Sequence, residues 1–240
     1  MSYSMPMSSD SAADSPKKAL FDDWPERYET WFSTPLGEQV RRVEGALILE
    51  MLDPAPGERI LDVGCGTGIF TMDYLSAGAE VVGLDISAPM LTLAERKAAA
   101  LPFTPVLGDM LDLPFVDACF DKVVSVTALE FVTEGRRAVA EMFRVTRPGG
   151  LIVVGTLNRL SPWAERRLAK TARGEAHVLQ TAVFRSPEEV LSLARTKGTA
   201  KTVVHFQKDD LEDLEEIERM GQARGLETGA FVAARWLKPR

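Results

Sequence analysis

The feature that most constrains this chain is a short apolar run, Arg59-Ile60-Leu61-Asp62-Val63, that empties into Gly64-Cys65-Gly66-Thr67-Gly68. A buried strand that ends in a glycine-rich turn and leads into a helix needs further strands beside it and helices to cover both faces. The chain then repeats this alternation. Helix-forming stretches at residues 69–76, 88–100 and 133–144 separate apolar runs at 80–84, 103–107, 121–126 and 151–156. The runs are β-branched with no polar alternation, the pattern of strands covered on both faces. They predict an α/β fold with an open, mostly parallel sheet, doubly wound by helices.

The flanking segments complete the outline. The start is rich in Ser, Met and Asp, with neither a basic stretch nor an apolar core, so residues 1–20 are expected to be a disordered tail rather than a signal peptide. Residues 21–240 are expected to form one domain. Thr34-Pro35 is a helix start, and Val40, Val43, Ala46, Leu47, Leu49 and Leu52 recur at helical spacing until Asp53-Pro54-Ala55-Pro56-Gly57. After the fifth strand, residues 161–173 read as an amphipathic helix, and Ser186-Pro187-Glu188-Glu189 reads as a capping box. Two late runs, 202–207 and 229–236, flank an acidic helical stretch at 209–224 and bring the strand count to seven. Lacking a βαβ crossover, they are expected to pair antiparallel at the sheet edge.

Composition narrows the partners. The 240 residues carry a net charge of -7, and Arg41-Arg42, Arg136-Arg137 and Arg166-Arg167 are short pairs among acids that read as solvated helix faces. Nucleic-acid binding draws on clustered Lys and Arg, so a nucleic-acid partner is not expected. No run reaches the roughly 18–20 apolar residues that span a bilayer. With two cysteines and two histidines, no metal pattern emerges. A soluble, cytoplasmic protein acting on a small molecule is expected, its oligomeric state open.

The glycine turn is a place where a ligand can approach bare backbone. Its spacing is G-x-G-x-G, and Ile69 stands where the dinucleotide fingerprint wants Gly or Ala. No Lys-Ser/Thr follows, which excludes a phosphate-binding P-loop. Asp62, inside the strand, can organise the N–H groups of the turn or attract a cation, and would repel a pyrophosphate. The second strand ends in Asp85, placed to accept from both ribose hydroxyls, with Ser87 available as the helix N-cap. After the third strand, Gly108-Asp109-Met110 offers an acceptor for an exocyclic amine and a side chain to pack on an adenine face. Each signal is weak alone, and Asp109 alone is an ordinary turn residue. Their order, at the ends of three successive strands, points to an adenosine-bearing ligand.

These residues resemble the class I S-adenosylmethionine-dependent methyltransferases. Leu61–Gly68 looks like the first motif, Asp85 the ribose acid, and Gly108-Asp109-Met110 with Leu113-Pro114-Phe115 the adenine loop. Phe120-Asp121-Lys122-Val123-Val124-Ser125 is similar to the fourth-strand motif, and Arg147-Pro148-Gly149-Gly150 to the turn before strand five. The likeness runs from about Leu36 to Thr156 and is nearest the small-molecule group that includes quinone-biosynthesis enzymes. It implies a Rossmann-like, seven-stranded sheet with an antiparallel final strand and S-adenosyl-L-methionine as cofactor. Gly64, Gly66 and Gly68 would approach the methionine part, Asp85 the ribose, Asp109 the adenine amine, and Val126 would lie beneath the cofactor. Tyr28, Asp62, Cys65, Ile86, Met90 and Met110 complete the expected cofactor contacts. A helical lid over residues 158–200 and an N-terminal lid and helix over 21–52 are expected to cover the site.

Methyl transfer from a sulfonium asks mainly for positioning, worth roughly 7–11 kcal/mol in well-oriented reactions. A base is needed only for a protonated nucleophile. Tyr28, Glu130 and His177 are the candidates, with Asn158 as an orienting group; a loop role for His177 and a structural role for His205 compete. Trp31 and Phe32 can equally staple the first long helix. Three other functions stay open. Nucleic-acid methylation lacks its motif, since Ser125-Val126-Thr127-Ala128 follows strand four. A nicotinamide dehydrogenase is disfavoured by Ile69. A regulator or inactive relative would hold the cofactor without turnover.

Overall fold

The computed structural model describes residues 19–174, 178–210 and 213–240. Two helices lead in, α1 (Pro25–Phe32) and α2 (Pro35–Leu52). Five β-strands and three helices then alternate: β1 (Arg59–Val63), α3 (Thr71–Ser76), β2 (Glu80–Asp85), α4 (Ala88–Lys97), β3 (Phe103–Leu107), β4 (Phe120–Val126), α5 (Gly135–Val145) and β5 (Thr146–Leu157). Helices α6 (Pro162–Ala172) and α7 (Pro187–Leu191) precede β6 (Gly198–Val203), α8 (Leu214–Ala223) and β7 (Phe231–Leu237). The strands form one seven-stranded sheet in the order β3-β2-β1-β4-β5-β7-β6.

Strand periodicity explains the layers. Ile60, Val81, Val124, Val153 and Phe231 join the apolar layer that packs α2 and α3. Their neighbours Leu61, Val82, Val123, Ile152 and Val232 join the other, which packs α5. Successive side chains leave a strand on opposite faces, so a run buried throughout must sit between two helical layers. Each such Val, Leu or Ile contributes about 1.5–3 kcal/mol by leaving water.

Helix α2 starts where Thr34 accepts the Gly37 N–H at 3.1 Å and stops at Asp53, whose φ is 49°. Its buried stripe includes Val40, Leu47, Ile48 and Met51, and within that stripe stands Glu44. Ridges of this kind are normally apolar.

The late strands pair antiparallel at the end of the sheet, as expected, but the first of them ends early. The run expected at 202–207 is a strand only to Val203, because Val204 turns left-handed at φ 65°. His205 therefore lies beyond the strand, where its backbone N–H and Nδ1 meet Glu218 at 2.7 and 3.2 Å. The final strand is antiparallel, as expected: β7 lies between β5 and β6 and runs against both. The connection through α6 and α7 steps over one strand position, which β7 returns to fill. Among the described residues, no helix is long and apolar enough to cross a membrane.

Candidate functional site

The sheet order reverses between β1 and β4, and open α/β sheets carry their ligand crevice at the carboxyl ends of such strands. A cavity of about 710 Å³ opens there, lined by Gly64 and Cys65 after β1, Asp85 and Ile86 after β2, Asp109 and Met110 after β3 and Val126 of β4. That volume is in the range of small-ligand sites.

The turn itself is tied down by backbone. The Gly64 and Cys65 N–H groups both reach the Leu84 carbonyl, at 2.7 and 3.0 Å. The Asp85 carboxylate accepts from Gly66 N–H at 2.8 Å and from Ser87 N–H at 2.9 Å, leaving lone pairs on both oxygens for a ligand. Burial raises the Asp85 pKa, and those N–H groups oppose the rise. Gly64 has φ 75°, and a side chain there would strike Ala128. Beside Gly66 no atom lies within 4 Å of where a Cβ would stand, so its backbone faces open space. Such bare backbone beside a free carboxylate fits the adenosyl and amino-acid parts of a cofactor.

Three expectations need correction. Gly68 does not line the cavity; its Cβ position lies 3.2 Å from Ala94, so it allows the turn to pack on α4. Asp62 lines the cavity, but it binds the Thr71 hydroxyl at 2.7 Å, while Asp85 holds the N–H of the turn. Burial raises its pKa to about 7. Asn158 does not line the cavity: its amide donates to the Glu227 and Gly229 carbonyls at 2.7 and 2.8 Å.

Met90 is buried and lines the cavity, and Ile86 lines it while largely exposed. Asp109 is exposed and accepts from Leu111 N–H at 2.8 Å, an Asx turn with its second oxygen unengaged. The Cys65 thiol is pushed up by burial, which suits packing and not nucleophilic work. His177 lies outside the described residues.

The N-terminal segment crosses the mouth. Phe21 meets Phe131 edge-on at 4.7 Å, and Asp22 accepts the Ser87 hydroxyl at 2.7 Å. Glu29 takes Lys97 at 2.9 Å and the Thr67 hydroxyl. Tyr28 lines the cavity with its hydroxyl 3.3 Å from Thr127 Oγ1, and burial holds its phenol well above the ordinary range. A phenol kept protonated is a donor, so Tyr28 is a poor general base. Trp31 and Phe32 also line the cavity, Phe32 resting on Phe70 with ring centroids 6.2 Å apart.

The inner end of the cavity belongs to other elements. Glu44 of α2, Glu130 of the 3-10 turn Leu129–Phe131, and Trp163 and Arg167 of α6 all line it. Glu130 is 1% exposed and accepts the Thr156 hydroxyl at 3.1 Å; burial raises it to about 7. Glu44 is 4% exposed, and burial, with Glu130 nearby, raises it to about 8. Arg167, read from sequence as a solvated face, is half-buried and leans over Trp163 at 5.5 Å. Its partner in that reading, Arg166, does face outward to Asp209 at 2.8 Å. Arg41 is likewise engaged, at 2.7 Å from Asp73. Glu44 escaped sequence reasoning, although a lone acid in an apolar helical stripe was the available signal.

The chain is similar to known proteins in sequence and in fold. Residues 61–154 match a family model described as a methyltransferase domain. The demethylmenaquinone methyltransferase of Renibacterium salmoninarum is 40% identical over 136 residues, covering 57% of this chain and 56% of that one. The malonyl-[acyl-carrier protein] O-methyltransferase of Serratia marcescens is 30% identical over 187 residues, covering 69% of this chain and 72% of that one. The chain spans about half the length of several such relatives, 46% to 59% in three of them. A solved S-adenosylmethionine-dependent methyltransferase from Thermotoga maritima shares the fold with a TM-score of 0.69 at 23% identity, over 92% of this chain and 98% of the other. The chain belongs to the class I S-adenosylmethionine-dependent methyltransferases.

Proposed function

We propose that this protein transfers a methyl group to a small-molecule acceptor held in the inner end of the cavity. One observation carries the reading: a single cavity runs from the glycine turn and Asp85 to Glu44, Glu130 and Trp163. A donor at the turn and an acceptor at the inner end would share one enclosed space.

When bound, S-adenosylmethionine supplies an already activated methyl group. The protein's own part is then to hold and to exclude water. Asp85 accepts from the ribose hydroxyls through its free lone pairs, and Asp109 accepts from the adenine amine. Ile86, Met90 and Met110 pack the adenosine, and Val126 floors it. Gly64, Cys65 and Gly66 present backbone to the methionine part, with Asp62 behind them. Tyr28 donates across the mouth, and the 21–52 segment covers the site together with Trp163, Arg167 and Leu179 of the segment after β5. Glu130 is the group poised to take a proton, since its pKa of about 7 matches a base working near neutrality. We place the reaction in the cytoplasm.

Calorimetry tests the reading. Purified protein binds S-adenosylmethionine, and Asp85→Ala weakens that binding tenfold or more while the far-ultraviolet circular dichroism is unchanged. Equal affinity in the two proteins would remove Asp85 from the ribose. Tight binding with no methyl transferred to any compound of a metabolite extract would favour a cofactor-holding regulator.

A further inference from the structure

The inner end of the cavity is charged in a way that methyl transfer as such does not require. Glu44 and Glu130 are almost wholly buried, and both line the same space. Glu130 holds one hydroxyl, from Thr156. Glu44 has no hydrogen bond or ion pair among the described residues. A buried carboxyl without a partner costs several kcal/mol if ionised. A leucine would fill that position of the α2 stripe with no such cost.

The counter-charge is incomplete. Arg167 is the cation at this end of the cavity, and no ion pair joins it to either acid. Its guanidinium leans instead over Trp163. Two acids and one guanidinium line the space; Arg185, the other cation that acts on Glu130, is committed to the Leu129, Val183 and Val132 carbonyls. The remaining walls include Tyr28, Phe32, Phe70 and Trp163. Aromatic faces attract cations.

We infer that the acceptor is an organic amine, bound as its ammonium ion between Glu44, Glu130 and the aromatic walls. The inference rests on the methyl-transfer reading above and names the substrate class for that same site. An ammonium gives the Glu44 carboxylate the partner it lacks. An acceptor that is an acid would meet two carboxyls for one guanidinium. The chemistry also closes. An ammonium nitrogen has no lone pair, so one N–H bond breaks and its proton forms an O–H bond on a carboxylate. Both carboxyls are raised towards neutrality, Glu44 by burial and then by Glu130, with Arg167 and Arg41 opposing. Arg167 and Arg185 act on Glu130 in the same direction. A carboxylate of that basicity can receive the proton.

The test uses primary amines of graded size, from ethylamine to tryptamine, each matched to the carboxylic acid of the same skeleton. Calorimetry is run on the full chain with S-adenosylhomocysteine present. At least one amine is expected to bind ten times more tightly than its matched acid. Glu44→Gln, which keeps the shape, is expected to weaken that amine tenfold while S-adenosylmethionine affinity changes less than twofold. Arg167→Met is expected to tighten the amine by removing a like charge. The inference is overturned if every acid matches or exceeds its amine, or if Arg167→Met weakens amine binding. It is also overturned if Glu44→Gln weakens S-adenosylmethionine instead, since the acids would then serve the sulfonium. Failure of the wild type to bind S-adenosylmethionine at all would count against the methyl-transfer reading, a separate result.

Discussion

The two ends of the cavity are built by different means. The outer end is made of backbone and short acids at the tips of β1, β2 and β3, each within a few residues of its strand. The inner end is made of side chains from α2, from the turn after β4 and from α6, which are far apart in the chain. Local chain geometry can make the first, whereas the second exists only once the helices pack. A shared cofactor and a particular acceptor would place their demands in this way. Under the proposed reading, the outer end would serve a constant ligand and the inner end would be free to vary.

Substitutions can break that division. The largest effect is expected at Gly64, where φ is 75° and a Cβ would strike Ala128. Gly64→Ala should cost about 3 kcal/mol of stability, through left-handed strain and overpacking. It should also abolish measurable cofactor binding, checked by urea unfolding and calorimetry. Stability unchanged in that variant would mean the turn is not held as described.

The buried acids, two at the inner end and Asp62 beside the turn, make a prediction in pH. Glu44, Glu130 and Asp62 are raised to about 8, 7 and 7, so the native state binds more protons than the unfolded state above the ordinary carboxyl range. Their contribution is fully present below about pH 4 and is lost as pH rises through 7 to 8. The melting temperature of the ligand-free protein should therefore fall from pH 5 to pH 8. Glu44→Gln should flatten part of that fall and stabilise the protein at pH 9, by on the order of 2 kcal/mol. A wild-type and mutant difference that ignores pH would remove Glu44 from the buried set.

The smallest effect sits at the boundary between the two ends. Tyr28→Phe deletes only the hydroxyl that meets Thr127 at 3.3 Å. It should cost about 1 kcal/mol or less of stability and change cofactor affinity a few-fold. A larger loss of turnover than of affinity would assign the hydroxyl to the chemistry.

Much of the outer end was legible in the chain, because each of its parts is local. Leu61–Gly68, Asp85 and Asp109 announce a turn and two acids at strand ends, and Asp62, Gly64, Cys65, Gly66, Asp85 and Asp109 line the cavity. At Gly68, spacing alone cannot distinguish a bare approach to a ligand from tight packing on α4. In the run 202–207, β-branched residues continue through Val204, and only its φ of 65° shows the strand has ended. Arg167 and Arg166 are neighbours with the same chemistry, and the facing of α6 alone separates them.

The sequence by itself determined the doubly wound sheet, its strand positions as far as β5 and the place of the crevice. Alternation, turn residues and strand-end acids act over a few residues, so they can be read without knowing what packs where. Only the tertiary structure decided that β7 enters between β5 and β6, and that Glu44, Glu130 and Arg167 meet in one enclosed space. Those outcomes depend on which face each distant helix turns inward. That choice is made by burial of whole apolar surfaces, to which no short segment holds the answer.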